Sequence, residues 1–262
     1  MRGLPSVVTS RDNHHFKRLK KLADSARARR QSRTTLLDGA HLIEACLQAG
    51  GELHTLVSSA HAPRFLAEPF AAAAPRARRL VLSEDLFALL SPLATPSGVL
   101  AEAAWLSPPR PGGPALVVLL EGIQDPGNLG SILRSAAAAG ASAAVLDPGC
   151  ADPWSPKALR GGQGAQFFLP VEESADAGAW LAGKALQSVA LSLDADTSLY
   201  ELDLTRPTAL LFGNEGAGLT EALRLATSAQ ARIPMPGRVE SLNVAAAAAA
   251  ALFEAVRQRR AR

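Results

Sequence analysis

The chain has 262 residues, 48% of them hydrophobic and 19% charged, which is enough apolar material for a packed core and argues against disorder. Its longest apolar stretches fall short of the ~18 residues a membrane span needs, and its first residues lack the pattern of a secretory signal, so a cytoplasmic location is the expectation. Two cysteines, Cys46 and Cys150, are too few for a disulfide framework and are not spaced as metal ligands.

Charge is spread unevenly. Residues 1–110 carry 15 Lys or Arg against 9 Asp or Glu, whereas residues 111–262 carry 12 against 15. Ten of the cations fall within residues 1–33, against Asp12 and Asp24 alone. That density suits a polyanion such as nucleic acid, and it is also the composition of a solvated helix face. All five histidines (His14, His15, His41, His54, His61) lie in the first part, without the spacing of a metal-binding pair.

In chain order, residues 12–28 and 40–49 read as helices and residues 53–58 and 79–82 as short strands, an alternation that predicts a small α/β unit. Residues 70–75, rich in alanine, read as a loop or short helix. The Pro-rich run from Ser107 to Pro114 cannot sustain a helix or an interior strand. It divides the chain into a first domain of residues 1–107, a linker at 108–114 and a second domain of 115–262. In the second, 115–120, 143–146, 188–193 and 209–212 read as strands and 131–139 as a helix, which predicts a parallel sheet covered by helices. An alanine-rich helix with a basic tail is expected over 242–259.

Three Gly- or Asn-rich segments follow predicted strands or open a helix, and the carboxyl edge of a parallel sheet is where ligands bind. The first, Asp125 to Arg134, is a turn feeding a helix; its Arg134 could clamp a phosphate or stand as a surface arginine. The second, Leu211 to Leu219, has three glycines that free the backbone to wrap a ligand, with Glu215 as its only charge. The third, Ile233 to Val244, places Ser241 and Asn243 at the start of the alanine-rich helix, where either could simply cap it.

Together these segments resemble the three signature motifs of the SpoU/TrmH branch of the SPOUT RNA methyltransferases. Asn128, Gly130 and Arg134 match N-x-G-x3-R; Gly213, Glu215, Gly218 and Leu219 match G-x-E-x2-G-L; and residues Ile233 to Val244 match I-P-M-x-G-x3-S-L-N-V. The resemblance covers about residues 115–256, and the first part is similar to the small α/β RNA-binding domain that many members carry. Two positions depart from the pattern: Ala245 stands where the family often has Ser, and Gly162 where many members have a serine.

The resemblance implies an α/β fold with a C-terminal trefoil knot. It also implies transfer of a methyl group from S-adenosylmethionine to a ribose 2′-hydroxyl of structured ribosomal or transfer RNA, with no metal. The cofactor would lie against the backbones of Leu211, Gly213, Ile233, Met235 and Leu242. Arg134 would activate the 2′-hydroxyl or grip its phosphate, with Asn128, Glu215, Ser241 and Asn243 arranging the site. Because an arginine pKa exceeds ~12, positioning and charge stabilisation are favoured over proton removal. Members of the branch resemble one another as homodimers, with the matching arginine completing the partner's site, although the alanine-rich helix could equally be buried within one subunit. The competing reading is a non-catalytic RNA-binding assembly or scaffold protein. A dinucleotide-binding oxidoreductase is excluded, since no G-x-G-x-x-G follows residues 115–120.

Overall fold

A computed structural model describes residues 5–62, 70–91, 93, 96–110, 115–173 and 176–261. Residues 111–114 of the expected linker lie outside the described residues. In chain order the first elements are β1 (Val7–Val8), α1 (His14–Asp24), α2 (Ala26–Ser32), β2 (Thr34–Asp38), α3 (Ala40–Gln48), β3 (Leu53–Ser59), α4 (Phe70–Ala73), β4 (Arg78–Leu82), α5 (Glu84–Leu90) and β5 (Val99–Ala104). There follow β6 (Leu116–Leu120), α6 (Pro126–Ala138), β7 (Ala143–Leu146), α7 (Pro156–Gly162), β8 (Val171–Glu173), α8 (Ala177–Leu181), β9 (Gln187–Leu191), β10 (Thr208–Phe212), α9 (Glu221–Leu225), β11 (Ala229–Ala231) and α10 (Val244–Arg260). The chain forms two compact units: Met1–Leu106 with Trp154–Phe167, and Ser107–Pro153 with Phe168–Arg262. Among the described residues no helix is long and apolar enough to cross a membrane.

The first unit is built on a mixed sheet in the order β1-β4-β3-β5-β2, with β5 antiparallel to both of its neighbours. Leucines and phenylalanines of α1 and α5 pack with Leu36, Val57, Leu80 and Leu100 on one face. The other face, with Leu37, Leu56 and Ala101, meets Leu42, Ile43 and Cys46 of α3 and also Trp154, Leu159 and Phe167. A segment from far along the chain thus completes this core. Thr35 donates its hydroxyl to the Trp154 carbonyl at 2.6 Å, and the Trp154 ring stacks on Trp105 with centroids 5.0 Å apart. The helix expected over 12–28 is broken at Ser25, whose extended backbone ends α1 and whose hydroxyl accepts the Ala28 N–H to start α2.

The second unit carries a six-stranded sheet in the order β11-β9-β10-β6-β7-β8, and every pairing in it is parallel. β6 and β10 are buried at every position, which explains why they read as unbroken apolar runs rather than alternating ones. Val117, Leu119 and Leu211 face Ala177 of α8 and Leu223 of α9, while α6 and α10 pack together over the opposite face. The helix expected from Ser131 starts five residues earlier, at Pro126. Proline is tolerated at a first helical position because its missing N–H would be unpaired there, and Asp125 caps the turn by accepting the Asn128 N–H at 2.9 Å.

Candidate functional site

Because the second sheet is parallel throughout, the chain leaves β6, β9, β10 and β11 on one edge. A cleft of about 630 Å³ opens there. Its walls include Leu191, Leu193, Phe212, Ile233, Met235 and Leu242. Leu193 and Leu242 are 58% and 40% exposed, so the cleft presents apolar surface. The charged side chains of its lining are Asp194, Glu215 and Arg224.

The loop after β10 is shaped by Gly213. A Cβ there would lie 2.1 Å from the Gly218 carbonyl carbon, so only glycine lets the loop fold back on itself. Asn214 and Gly218 close that fold with reciprocal backbone hydrogen bonds of 3.0 and 2.9 Å. The Asn214 side chain accepts the Gly216 and Ala217 N–H groups and donates to the Gly122 carbonyl at 2.8 Å. Glu121, at the end of β6, accepts both the N–H and the hydroxyl of Thr220. Asp147 beyond β7 accepts the Gly122 N–H at 2.8 Å. None of Glu121, Asn214 or Thr220 stood out in the sequence as a site residue. An asparagine embedded among glycines, with its tendency to bond the backbone two residues on, was the available signal for Asn214.

Three of the expected site residues form one chain of bonds. Asn243 donates to Asn128 Oδ1 at 3.0 Å, and Asn128 donates to Glu215 Oε1 at 2.9 Å. Residues from all three motif segments are therefore joined, across separations of 115 and 87 positions. Asn243 also caps α10 by accepting the Ala245 and Ala246 N–H groups, so the capping role and the site role belong to the same side chain. Burial tends to raise the Glu215 carboxyl, but the bond from Asn128 and backbone N–H groups outweigh it and hold the group below its ordinary value.

Glu215, Ser241 and Asn243 line the cleft, as do Gly213, Ile233, Met235 and Leu242. Leu211, Asn128 and Arg134 do not, although Asn128 is bonded to two residues that do. Leu211 is fully buried within β10, its side chain in the sheet core. Arg134 stands exposed on α6 and makes no hydrogen bond or ion pair among the described residues. The early start of α6 explains its position: Arg134 is six residues beyond Asn128, about 9 Å along the axis and on a different face of the helix.

A family model described as the SpoU rRNA Methylase family matches residues 115–253, and one described as an MRM3-like substrate binding domain matches residues 13–101. An uncharacterised tRNA/rRNA methyltransferase of Synechocystis is 36% identical over 96% of this chain and 93% of its own length. The 23S rRNA (guanosine(2553)-2′-O)-methyltransferase of Bacillus subtilis is 32% identical over 94% of this chain and 97% of its own. Among solved structures, the SpoU methyltransferase AviRb from Streptomyces viridochromogenes in complex with AdoMet superposes with a TM-score of 0.84 at 31% identity, covering 94% of this chain and 98% of that one. The chain belongs to the SpoU rRNA methylase family.

Proposed function

We propose that this protein is an S-adenosylmethionine-dependent 2′-O-ribose methyltransferase of structured RNA, with ribosomal RNA as its substrate class. The observation that carries this reading is the Asn243–Asn128–Glu215 chain at a cleft lined in part by exposed apolar side chains. The residues present fit the cofactor. Its adenine suits the leucine, isoleucine and methionine walls, and its two cationic groups and one carboxylate are the charge complement of Asp194, Glu215 and Arg224. When bound, it supplies an electrophilic methyl group to an incoming hydroxyl. Gly213, Ile233, Met235 and Leu242, with the backbone of Leu211, would hold it. Asn128, Glu215, Ser241 and Asn243 would fix the loops and orient the ribose.

Arg134 takes the role of holding the RNA phosphate and stabilising the developing alkoxide, because a guanidinium does not give up its proton near neutral pH. Its exposed place outside its own chain's cleft supports a homodimer in which it completes the partner's site. Mixing Arg134→Ala and Asn128→Ala proteins should then raise activity above that of either variant alone, and light scattering that gives only the monomer mass would exclude this arrangement. We infer further that the chain between β10 and α10 is knotted, that residues 1–107 form the RNA-binding domain, and that the protein works in the cytoplasm.

The direct test is incubation with methyl-labelled S-adenosylmethionine and unmodified 23S or transfer RNA, followed by nucleoside mass spectrometry. A labelled 2′-O-methylnucleoside is expected. Cofactor binding with no transfer to free RNA or to assembling ribosomal particles would leave the scaffold reading in its place.

A further inference from the structure

The first unit has a second concavity, of about 260 Å³, remote in sequence from the motif segments and lined by His15, Arg18, His54, Thr55, Arg78 and Glu102 among others. One cross-strand row of the sheet sets Arg78, Thr55 and Glu102 side by side on β4, β3 and β5, with Glu102 buried at the floor and Arg78 exposed at the rim. One row deeper the same face is apolar, with Leu80, Val57 and Leu100. The strand register slips between Leu53 and Thr55, so His54 is the extra residue of a β-bulge, a device that re-aims a side chain. Its Nδ1 comes within 4.0 Å of Glu102.

Glu102 is the unusual member of the group. Its side chain is only 3% exposed, yet it faces a pocket that Arg18 and Arg78 also line. Arg18 directs both Nε and Nη2 to one oxygen, Oε1, at 2.9 and 2.6 Å, and Thr55 donates to Oε2 at 3.0 Å. A carboxylate offers about four acceptor positions, so Oε2 keeps one for an incoming donor. Burial first, then Arg78 and His14, hold the His15 imidazole below its ordinary value, leaving a neutral ring at the pocket wall. An anion at the floor would meet the carboxylate, whereas an anion at the rim would meet Arg78. An N–H-bearing group suits the floor.

On the footing that the substrate is RNA, we propose that this pocket takes one unstacked nucleotide, with its phosphate on Arg78 at the rim and the amino-bearing edge of its base against Glu102. Unpaired bases are commonly read in this way, by stacking on aromatic rings and by hydrogen bonds to their edges. Guanine, adenine and cytosine carry an exocyclic amino group, whereas the one edge N–H of uracil lies between two carbonyl oxygens that a carboxylate repels, so the pocket discriminates against uridine.

The test is titration of the full-length protein with the four nucleoside 5′-monophosphates and with inorganic phosphate, following the His15 and His54 ring resonances by NMR. The expected result is that the amino-bearing nucleotides shift both resonances at least about fivefold more tightly than UMP or phosphate. Arg78→Ala should weaken all nucleotides alike, and Glu102→Gln should erase the preference among bases. That preference is read on the unaltered protein, so the result stands even if Glu102→Gln does not fold. Phosphate acting as strongly as the nucleotides, equal response to all four bases, or no response to any would overturn the proposal. In the methylation assay Arg78→Ala should raise KM for RNA while leaving S-adenosylmethionine binding unchanged. Nucleotide binding here, combined with no methyl transfer to any RNA by the unaltered protein, would refute the methyltransferase reading and leave the pocket standing.

Discussion

Asn128 is the middle member of the three-residue chain, and both ends of its amide are committed. Asn128→Ala leaves Glu215 and Asn243 without their partner, a loss of about 1–3 kcal/mol, or roughly tenfold to a hundredfold in turnover. Cofactor affinity, set by other walls of the cleft, should change by less than about threefold; calorimetry beside a turnover assay separates the two. Glu215 adds a pH dependence. Its carboxyl is held below the ordinary value, so its contribution to stability is complete above the ordinary carboxylate pKa and is lost as pH falls through the depressed one. Urea midpoints of the unaltered protein and Glu215→Gln should therefore differ near pH 7 and converge below about pH 4. The two cysteines behave as inert side chains, since burial pushes the Cys46 thiol up to about 11 and the Cys150 thiol up to about 12. At this scale Asn128, Glu215 and Asn243 were legible because each sits in a motif whose neighbours fix its identity. Glu121 and Thr220 were not, because a carboxylate that binds a residue 99 positions away leaves no local trace.

Among elements, the apolar strands β6, β7 and β10 were legible, whereas β2 and β5, of mixed composition, were not. β6 and β10 are buried on both faces and could hardly be read otherwise. β5, Val-Leu-Ala-Glu-Ala-Ala, has helix-forming residues and an acidic centre; it is a strand because β2 and β3 flank it and Arg18 and Thr55 donate to Glu102. The start of α6 was misplaced because Pro126 and Gly127 read as a turn, although proline at a first helical position with an aspartate before it also marks a helix start. That shift moved Arg134 off the face that carries Asn128. The segment after β7 offers the strongest energetic test at this scale. Trp154 is 6% exposed, stacked on Trp105 and packed near Phe167. Trp154→Ala should cost about 3–5 kcal/mol, and denaturant unfolding followed by the fluorescence of the remaining tryptophans would register it; a loss below about 1 kcal/mol would show that this segment does not support the core.

For the whole molecule, the sequence suggested a cut at the Pro-rich run, with everything beyond residue 114 in one domain. The core of the first unit nevertheless includes Trp154, Leu159 and Phe167. Neither composition nor periodicity could disclose this, because helix–sheet pairing between distant stretches is a property of the assembled fold. A protein consisting of residues 107–262 alone would leave those three side chains without Leu37, Ile43 and Ala101 to cover them. Limited proteolysis should then cut it within residues 154–167, a stretch that the full chain protects. A truncated protein that resists cleavage there and stays monodisperse would contradict this account of the core.

That returning segment also has a consequence in time. As the chain emerges from the ribosome, the first 106 residues are complete before any part of the Trp154–Phe167 stretch exists. At about 5–20 residues per second, the delay until Phe167 is added is roughly 3–12 s. For that interval the sheet face formed by Leu37, Leu56 and Ala101 has only part of its final cover. The nascent first unit is therefore an unfinished body during synthesis, exposed to chaperones and to neighbouring chains, and it closes only when the following half of the protein has begun to form.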